Sequence, residues 1–215
     1  MSEATPGTAA LSYPGRGLRV MACHWPTPCE LPQFCSCGDV DCPTPARHPI
    51  GTFAIDQATT SLGQLARWWQ ANPAANPATM TDEQVGVIEL HHPARPGTLF
   101  QALKAHRANQ APMIYADQGV AHLLVKPDPD LDPSAADLAC HPTSGIDKVV
   151  ISPPGTLILL PPSRRMNRLR IHWMTHLYHV DRLPEAAHML ELLTELRKNG
   201  VLDEVTPSLP SRGPA

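Results

Sequence analysis

The chain has 215 residues and a formal net charge of −3, and hydrophobic residues make up 42% of it. This length suffices for one domain of moderate size or two small ones, each with a sizeable core. The near-neutral charge excludes a globally basic nucleic-acid binder, so any such contact must use a local patch. No apolar run reaches the roughly 18 residues of a membrane-spanning helix, and residues 1–15 lack the apolar centre of a secretory signal.

The first fifty residues are predicted to contain one strand and a cysteine-rich loop. Residues 1–15 are polar and carry proline and glycine, which predicts a flexible leader. Gly17 to Cys23 has the composition of a first strand, which Pro26 and Pro28 would end. The loop then runs from about residue 29 to residue 49. The 25 prolines of the whole chain indicate many short elements and ordered loops.

The loop contains potential metal ligands at close spacing. Cys35, Cys37, Cys42 and His48 fall within fourteen residues. Thiolate and imidazole are the donors that tetrahedral zinc prefers, and a loop without its own core needs such a cross-link. We therefore predict a closed, structural zinc site, with Cys29 as the alternative to His48 for the fourth ligand. The clustered cysteines and the missing signal favour a reducing cytoplasm over disulfide formation.

The rest of the sequence alternates between helical and strand patterns. Thr60 or Ser61 can cap a helix that ends before Pro73. Residues 84–91 read as a strand, which places Glu89 and His91 on one sheet face because they are two residues apart. The other predicted elements are a helix over 98–109, a hairpin of strands 113–116 and 121–125, strands over 147–151 and 156–160, a strand or the start of a helix over 170–179, a helix over 184–200 and a disordered tail over 201–215.

Five blocks follow one another in a recognisable order. They are the opening strand, the cysteine loop with Ala46-Arg47-His48-Pro49, Asp56-x-Ala58-Thr59-Thr60 with Trp68-Trp69, the hairpin with His122, and Leu159-Leu160-Pro161-Pro162-Ser163. This order resembles the N-terminal domain of bifunctional DNA primase/polymerases, the Prim-Pol branch of the archaeo-eukaryotic primase superfamily, over roughly residues 16–173. The resemblance implies an α+β fold for residues 16–183, with an RRM-like catalytic sheet, flanking helices and a zinc-binding loop.

The resemblance also implies two-metal nucleotide transfer, in which carboxylates hold two Mg²⁺ or Mn²⁺ ions roughly 3.5–4 Å apart. The family places two acids, separated by one residue, at the end of a central strand and a third acid on a later strand. The matching positions here are Glu89, His91 and a position near Val150, and Asp147 is the nearest acid to the third. Imidazole is a poor ligand for Mg²⁺. We therefore expect an incomplete catalytic site, in which Mg or Mn has a role only if catalysis persists.

Nucleotide or DNA binding is expected from two features. The resemblance implies that His122 contacts the phosphate of an incoming nucleotide. The basic run that contains Arg164, Arg165, Arg168 and Arg170 is predicted to contact phosphates, which guanidinium groups can bind with two hydrogen bonds.

These features together predict a DNA primase/polymerase-like protein that is catalytically degenerate, retains nucleotide or DNA binding and serves replication, with a replication protein as a candidate partner. Two alternatives stay open. One is an active, manganese-dependent primase/polymerase that uses Glu89, His91 and Asp147. The other is a non-enzymatic, zinc-stabilised protein-interaction module, which the acidic stretch Asp128 to Asp132 favours.

Overall fold

The computed structural model describes residues 4–27, 34–51, 57–91, 96–105, 111–117, 119–131, 148–166, 169–179 and 182–199. In these ranges the chain forms two antiparallel sheets with flanking helices, so the predicted α+β class is confirmed. In chain order the elements are α1 (Pro6–Ser12), β1 (Met21–Cys23), α2 (Leu62–Ala71), β2 (Asn76–Met80), β3 (Gly86–His91), α3 (Pro96–Ala105), β4 (Met113–Asp117), β5 (Val120–Val125), β6 (Lys148–Ile151), β7 (Leu157–Leu159), β8 (His172–Thr175) and α4 (Ala186–Lys198). No helix in the described ranges is both long and apolar enough to cross a membrane. The predicted tail, 201–215, lies outside the described residues.

The smaller sheet has the strand order β1-β2-β7 and is covered by α1 and α2. Helix α2 begins as predicted, because the Ser61 hydroxyl accepts a hydrogen bond from the backbone N–H of Gln64. Leu65 and Trp69 form its buried face. The indole N–H of Trp69 donates to the carbonyl of Ala75, which satisfies its polar atom inside the core.

The N-terminal region differs from the predicted flexible leader. Residues 6–12 form α1, and Ala9 and Ala10 are buried against the smaller sheet. A Cβ at Gly7 would lie 3.2 Å from the Cβ of Trp69, so glycine permits this close approach. The Tyr13 hydroxyl also donates to the carbonyl of Pro161. Small residues provide the packing surface, which is why the sequence showed no apolar stripe.

The larger sheet has the strand order β6-β3-β5-β4-β8. Its first four strands follow the βαββ…β connection and the 4-1-3-2 spatial order of an RRM sheet, and β8 extends the edge beside β4. One face packs Ile88, Leu90 and Leu123 against residues of α3 and α4. On the other face, Val87 and Leu124 join the core of the smaller sheet. The polar residues at the far end of β3 therefore lie on the side of the sheet that faces the smaller sheet.

Candidate functional site

The four predicted metal ligands of the cysteine loop converge in space. The ligand atoms of Cys35, Cys37, Cys42 and His48 all lie within 4.8 Å of one another. The Sγ atoms of Cys35 and Cys42 each lie 3.4 Å from Nε2 of His48. Tetrahedral zinc with ordinary bond lengths would separate sulfur and nitrogen by about 3.5 Å. The cluster therefore fits a metal ion such as zinc, whereas Cys29 lies outside the described residues.

Backbone groups of the loop favour this arrangement. Gly38 has a φ of 82°, and its N–H donates to the carbonyl of Cys35, which closes a tight turn between two of the ligands. The backbone N–H of Asp39 stabilises the thiolate of Cys37 and lowers its pKa. The N–H of Ala46 donates to Sγ of Cys35 at 3.3 Å. Burial raises the pKa of Cys42 to about 11, so metal binding there must displace a proton.

The loop is connected to the smaller sheet by Asn76, a buried residue that the sequence analysis missed. Its side-chain amide donates to the carbonyls of His24, Ala46 and Arg164, at 3.2, 3.1 and 2.8 Å. Its Oδ1 accepts from the N–H of Arg164 at 2.9 Å. One side chain thus joins the end of β1, the metal loop and the arginine segment.

The larger sheet places the predicted catalytic-type residues in adjacent cross-strand positions. Glu89 on β3 is directly opposite His122 on β5, so the two share a face. Glu89 accepts a hydrogen bond from the hydroxyl of Ser152 at 2.8 Å, and its other oxygen lies 3.4 Å from Nε2 of His91. Glu89 and His91 therefore form a contacting pair on one face, as the strand pattern predicted.

The two residues of β6 that are opposite this pair are not acidic. Val150 on β6 is directly opposite Glu89, and Lys148 is directly opposite His91. Val150 occupies the position that the resemblance assigned to the third carboxylate, and Lys148 adds an ammonium group to the same face. Asp147, the nearest acid in sequence, lies outside the described residues. Glu89 and its described neighbours His91, His122 and Lys148 thus supply one carboxylate, two imidazoles and one ammonium group.

His122 is buried, and its Nδ1 has no hydrogen-bond partner among the described residues. Burial lowers the pKa of His122 to about 4, against an opposing effect of the Glu89 charge. The positive charges of Arg47 and Arg165 also lower this pKa, which places both guanidinium groups within electrostatic reach of the imidazole. His122 is therefore neutral near pH 7 and can offer one ring N–H to a ligand.

The arginine run is divided between two surfaces. Arg165 and Arg47 line a cleft of about 330 Å³ beside the metal loop. Arg164 instead lines a separate cleft with Trp25 and Trp69. Arg170 pairs with Arg164 through a backbone bridge, and Arg168 lies outside the described residues. Within the predicted binding run, Arg165 is thus the residue that lies near His122, together with Arg47, which the sequence analysis named only as part of a motif.

Comparison with known proteins agrees with this geometry. A family model described as bifunctional DNA primase/polymerase, N-terminal (Prim-Pol), matches residues 10–186. A search of curated proteins finds no match. The matched range covers most of the chain, so the chain belongs to the Prim-Pol family, and the predicted resemblance is confirmed.

Proposed function

We propose that this Prim-Pol protein has a degenerate catalytic site and retains nucleotide or DNA binding in a replication-related role. The cross-strand row His122, Glu89 and Val150 carries this proposal, together with Lys148 opposite His91. Membership of the family supports the primase/polymerase-like part. The donor set on the sheet face supports the loss of catalysis.

The described residues on this face do not fit a two-metal centre. Mg²⁺ requires oxygen ligands in a nearly octahedral arrangement, and two such ions must be held by several carboxylates. Val150 has no donor atom, His91 offers nitrogen, and Lys148 repels a nearby cation. Glu89 already accepts from Ser152 and contacts His91. Because both carboxylate oxygens already have partners in the protein, Glu89 alone would bind a divalent ion weakly.

We propose that the ion in the cysteine loop is zinc and that its role is structural. Three thiolates and one imidazole match the closed Cys₃His sites in which no coordination position is left for a substrate or a reactive water. Zinc would cross-link the loop and hold His48 against the ring of His24, 4.4 Å away between centroids. A site of this kind needs its cysteines reduced, so we propose the cytoplasm as the compartment.

Ligand binding is the part of the family's activity that the remaining residues support. Neutral His122 can donate a hydrogen bond, and Arg165 can bind phosphate with two parallel hydrogen bonds. Both properties are independent of the missing carboxylates. We propose a replication protein as the partner, which would recognise this protein when a nucleotide or a DNA strand is bound there.

Primer extension with Mg²⁺ and with Mn²⁺, paired with binding measurements on a nucleoside triphosphate and on single-stranded DNA, tests this function. We expect binding without extension. Arg165→Gln should weaken binding, whereas Arg164→Gln, the same substitution one residue away in a different cleft, serves as its matched control. Extension that Glu89→Ala abolishes would show an active polymerase. Absence of both extension and binding would favour the protein-interaction module instead.

A further inference from the structure

The sheet face that carries Glu89 is more cationic than a two-metal catalytic site allows. Lys148 is exposed and forms no ion pair among the described residues. Its position opposite His91 places its stem on the same face as Glu89, two residues further along the paired strands. Lys148 therefore lies on the sheet face on which the resemblance places the metal-binding carboxylates.

Arg47 and Arg165 supply two further positive charges, in the cleft beside the metal loop. Both influence His122 electrostatically, and both line the cleft that adjoins the metal loop. Arg47 follows Ala46, whose N–H bonds to Cys35, and precedes His48, a predicted ligand. Its backbone is thus fixed on both sides, which lets the metal loop hold the Arg47 side chain near the sheet.

Glu89 supplies one negative charge against the three positive charges of Lys148, Arg47 and Arg165. Its carboxylate is already hydrogen-bonded to Ser152 at 2.8 Å and contacts His91 at 3.4 Å. The described groups around the site, namely Arg47, Arg165, Lys148, His91 and Glu89, leave a positive balance. A polyphosphate is the ligand chemistry that such a balance favours, because guanidinium and ammonium groups form short, charge-assisted hydrogen bonds with phosphate oxygens.

We propose that this site binds a nucleoside triphosphate directly through Lys148, Arg47, Arg165 and the ring N–H of His122, with no divalent cation. Lys148 takes over the charge neutralisation that metal ions provide in an active two-metal site. This inference rests on the proposed nucleotide binding and goes further, because it assigns binding roles to Lys148 and Arg47 and removes the need for Mg²⁺ or Mn²⁺.

Calorimetric titration of the full chain with dATP tests the proposal. One buffer is freed of divalent ions by passage over a chelating resin, and the others contain excess Mg²⁺ or Mn²⁺. No chelator is added to the protein, and its zinc content is measured before and after, because the cysteine loop must keep its ion. We expect dATP to bind in the metal-free buffer as tightly as with Mg²⁺, and deoxyadenosine to bind far more weakly.

Variants assign the binding to the named side chains. Lys148→Gln and Arg47→Gln should each weaken dATP binding in metal-free buffer by about tenfold, the effect of losing one charge-assisted hydrogen bond. Arg164→Gln and Lys104→Gln, which remove cations on another cleft and on α3, should leave it unchanged. The zinc content and the thermal transition of each variant distinguish a lost contact from a lost fold.

A double variant that restores acidic residues tests whether their absence explains binding without a divalent ion. His91→Asp with Val150→Asp introduces carboxylates beside Glu89, and Val150 is only half-buried, so the change is tolerable. Binding of dATP should then require Mn²⁺ or Mg²⁺.

Three results would contradict the proposal. Wild-type binding that appears only with a divalent cation overturns it and leaves the proposed nucleotide binding intact. Wild-type binding that Lys148→Gln and Arg47→Gln both leave unchanged also overturns it. Absence of dATP binding in every buffer overturns both the inference and the nucleotide-binding part of the proposed function.

Discussion

Replacing Asn76 with alanine should destabilise the protein more than any surface change of equal size. The amide of Asn76 has two N–H groups, which it shares among three buried or part-buried carbonyls, and its oxygen accepts from the N–H of Arg164. The substitution removes about three hydrogen bonds, each worth about 1 kcal/mol. The expected loss is therefore about 3 kcal/mol, which for a chain of this size lowers the melting temperature by about 6–12 °C.

Urea unfolding followed by tryptophan fluorescence measures this free energy. The matched control is Asn72→Ala, at the end of α2, because the Asn72 side chain forms no hydrogen bond within the described residues. That control should cost about 0.5 kcal/mol or less. Asn76→Ala should also release the loop metal to a chelator faster, since the carbonyl of Ala46 loses its partner. A loss for Asn76→Ala that equals the control would refute the view that this residue joins the loop to the sheet.

Three more measurements address the metal loop, the buried histidine and the N-terminal helix. Cys42→Ser should abolish stoichiometric zinc, whereas Cys23→Ser should retain it because Cys23 lies outside the ligand set; equal zinc in both variants would contradict the site. Since burial lowers the pKa of His122 from 6.5 to about 4, the unfolded chain takes up the proton first, so stability should fall by about 3 kcal/mol as the pH drops from 6.5 to 4. His122→Gln should flatten that part of the stability profile, and an unchanged profile would disprove the assignment. Tyr13→Phe should cost about 1 kcal/mol in urea unfolding, because the hydroxyl bonds to Pro161; no measurable cost would argue against a docked α1.

The cysteine loop could be predicted because its information is local. Its ligands lie close together in sequence, and Gly38 supplies the turn between two of them. The shared face of Glu89 and His91 was accessible for a related reason, since alternate residues of a strand point to the same side of the sheet. These two local patterns placed Cys35, Cys37, Cys42, His48, Glu89 and His91. The position of His122 opposite Glu89 depends on the pairing of β3 with β5, which no local pattern indicates.

The role of Asn76 could not be read in the same way. Its hydrogen bonds reach residues 52, 30 and 88 positions away. The strand β2 that contains Asn76 was also not predicted, because asparagine and proline are disfavoured in strands. Proline is especially unexpected here, since β2 is the central strand of its sheet and contains Pro77. Pro77 has no N–H to donate, but its carbonyl still takes part in the sheet, since it accepts from the N–H of Leu160 and the hydroxyl of Ser163.

The arginine run shows that charged residues close in sequence need not form one binding surface. Consecutive residues of an extended segment point to opposite sides, and Arg164 and Arg165 indeed line different clefts. The run was therefore one feature of the sequence but two surfaces of the fold. No sequence pattern indicated the role that we propose for Lys148, because that role depends on its register opposite His91.

Arg47 connects the metal loop to the nucleotide site that we propose. The backbone of the loop is fixed at Ala46 by Cys35 and Asn76, and a metal bound to His48 would fix it on the other side, so that Arg47 between them is held in one place. The charge of Arg47 reaches His122. A flexible arginine would lose side-chain entropy on each binding event, which lowers the affinity for phosphate. A rigidly placed guanidinium avoids this loss, and the gain in affinity is more important where no divalent ion binds the phosphates. In our proposal, the structural zinc site and the metal-free phosphate site are parts of one arrangement, in which zinc would act on the phosphate ligand only through the arginine that it helps to position.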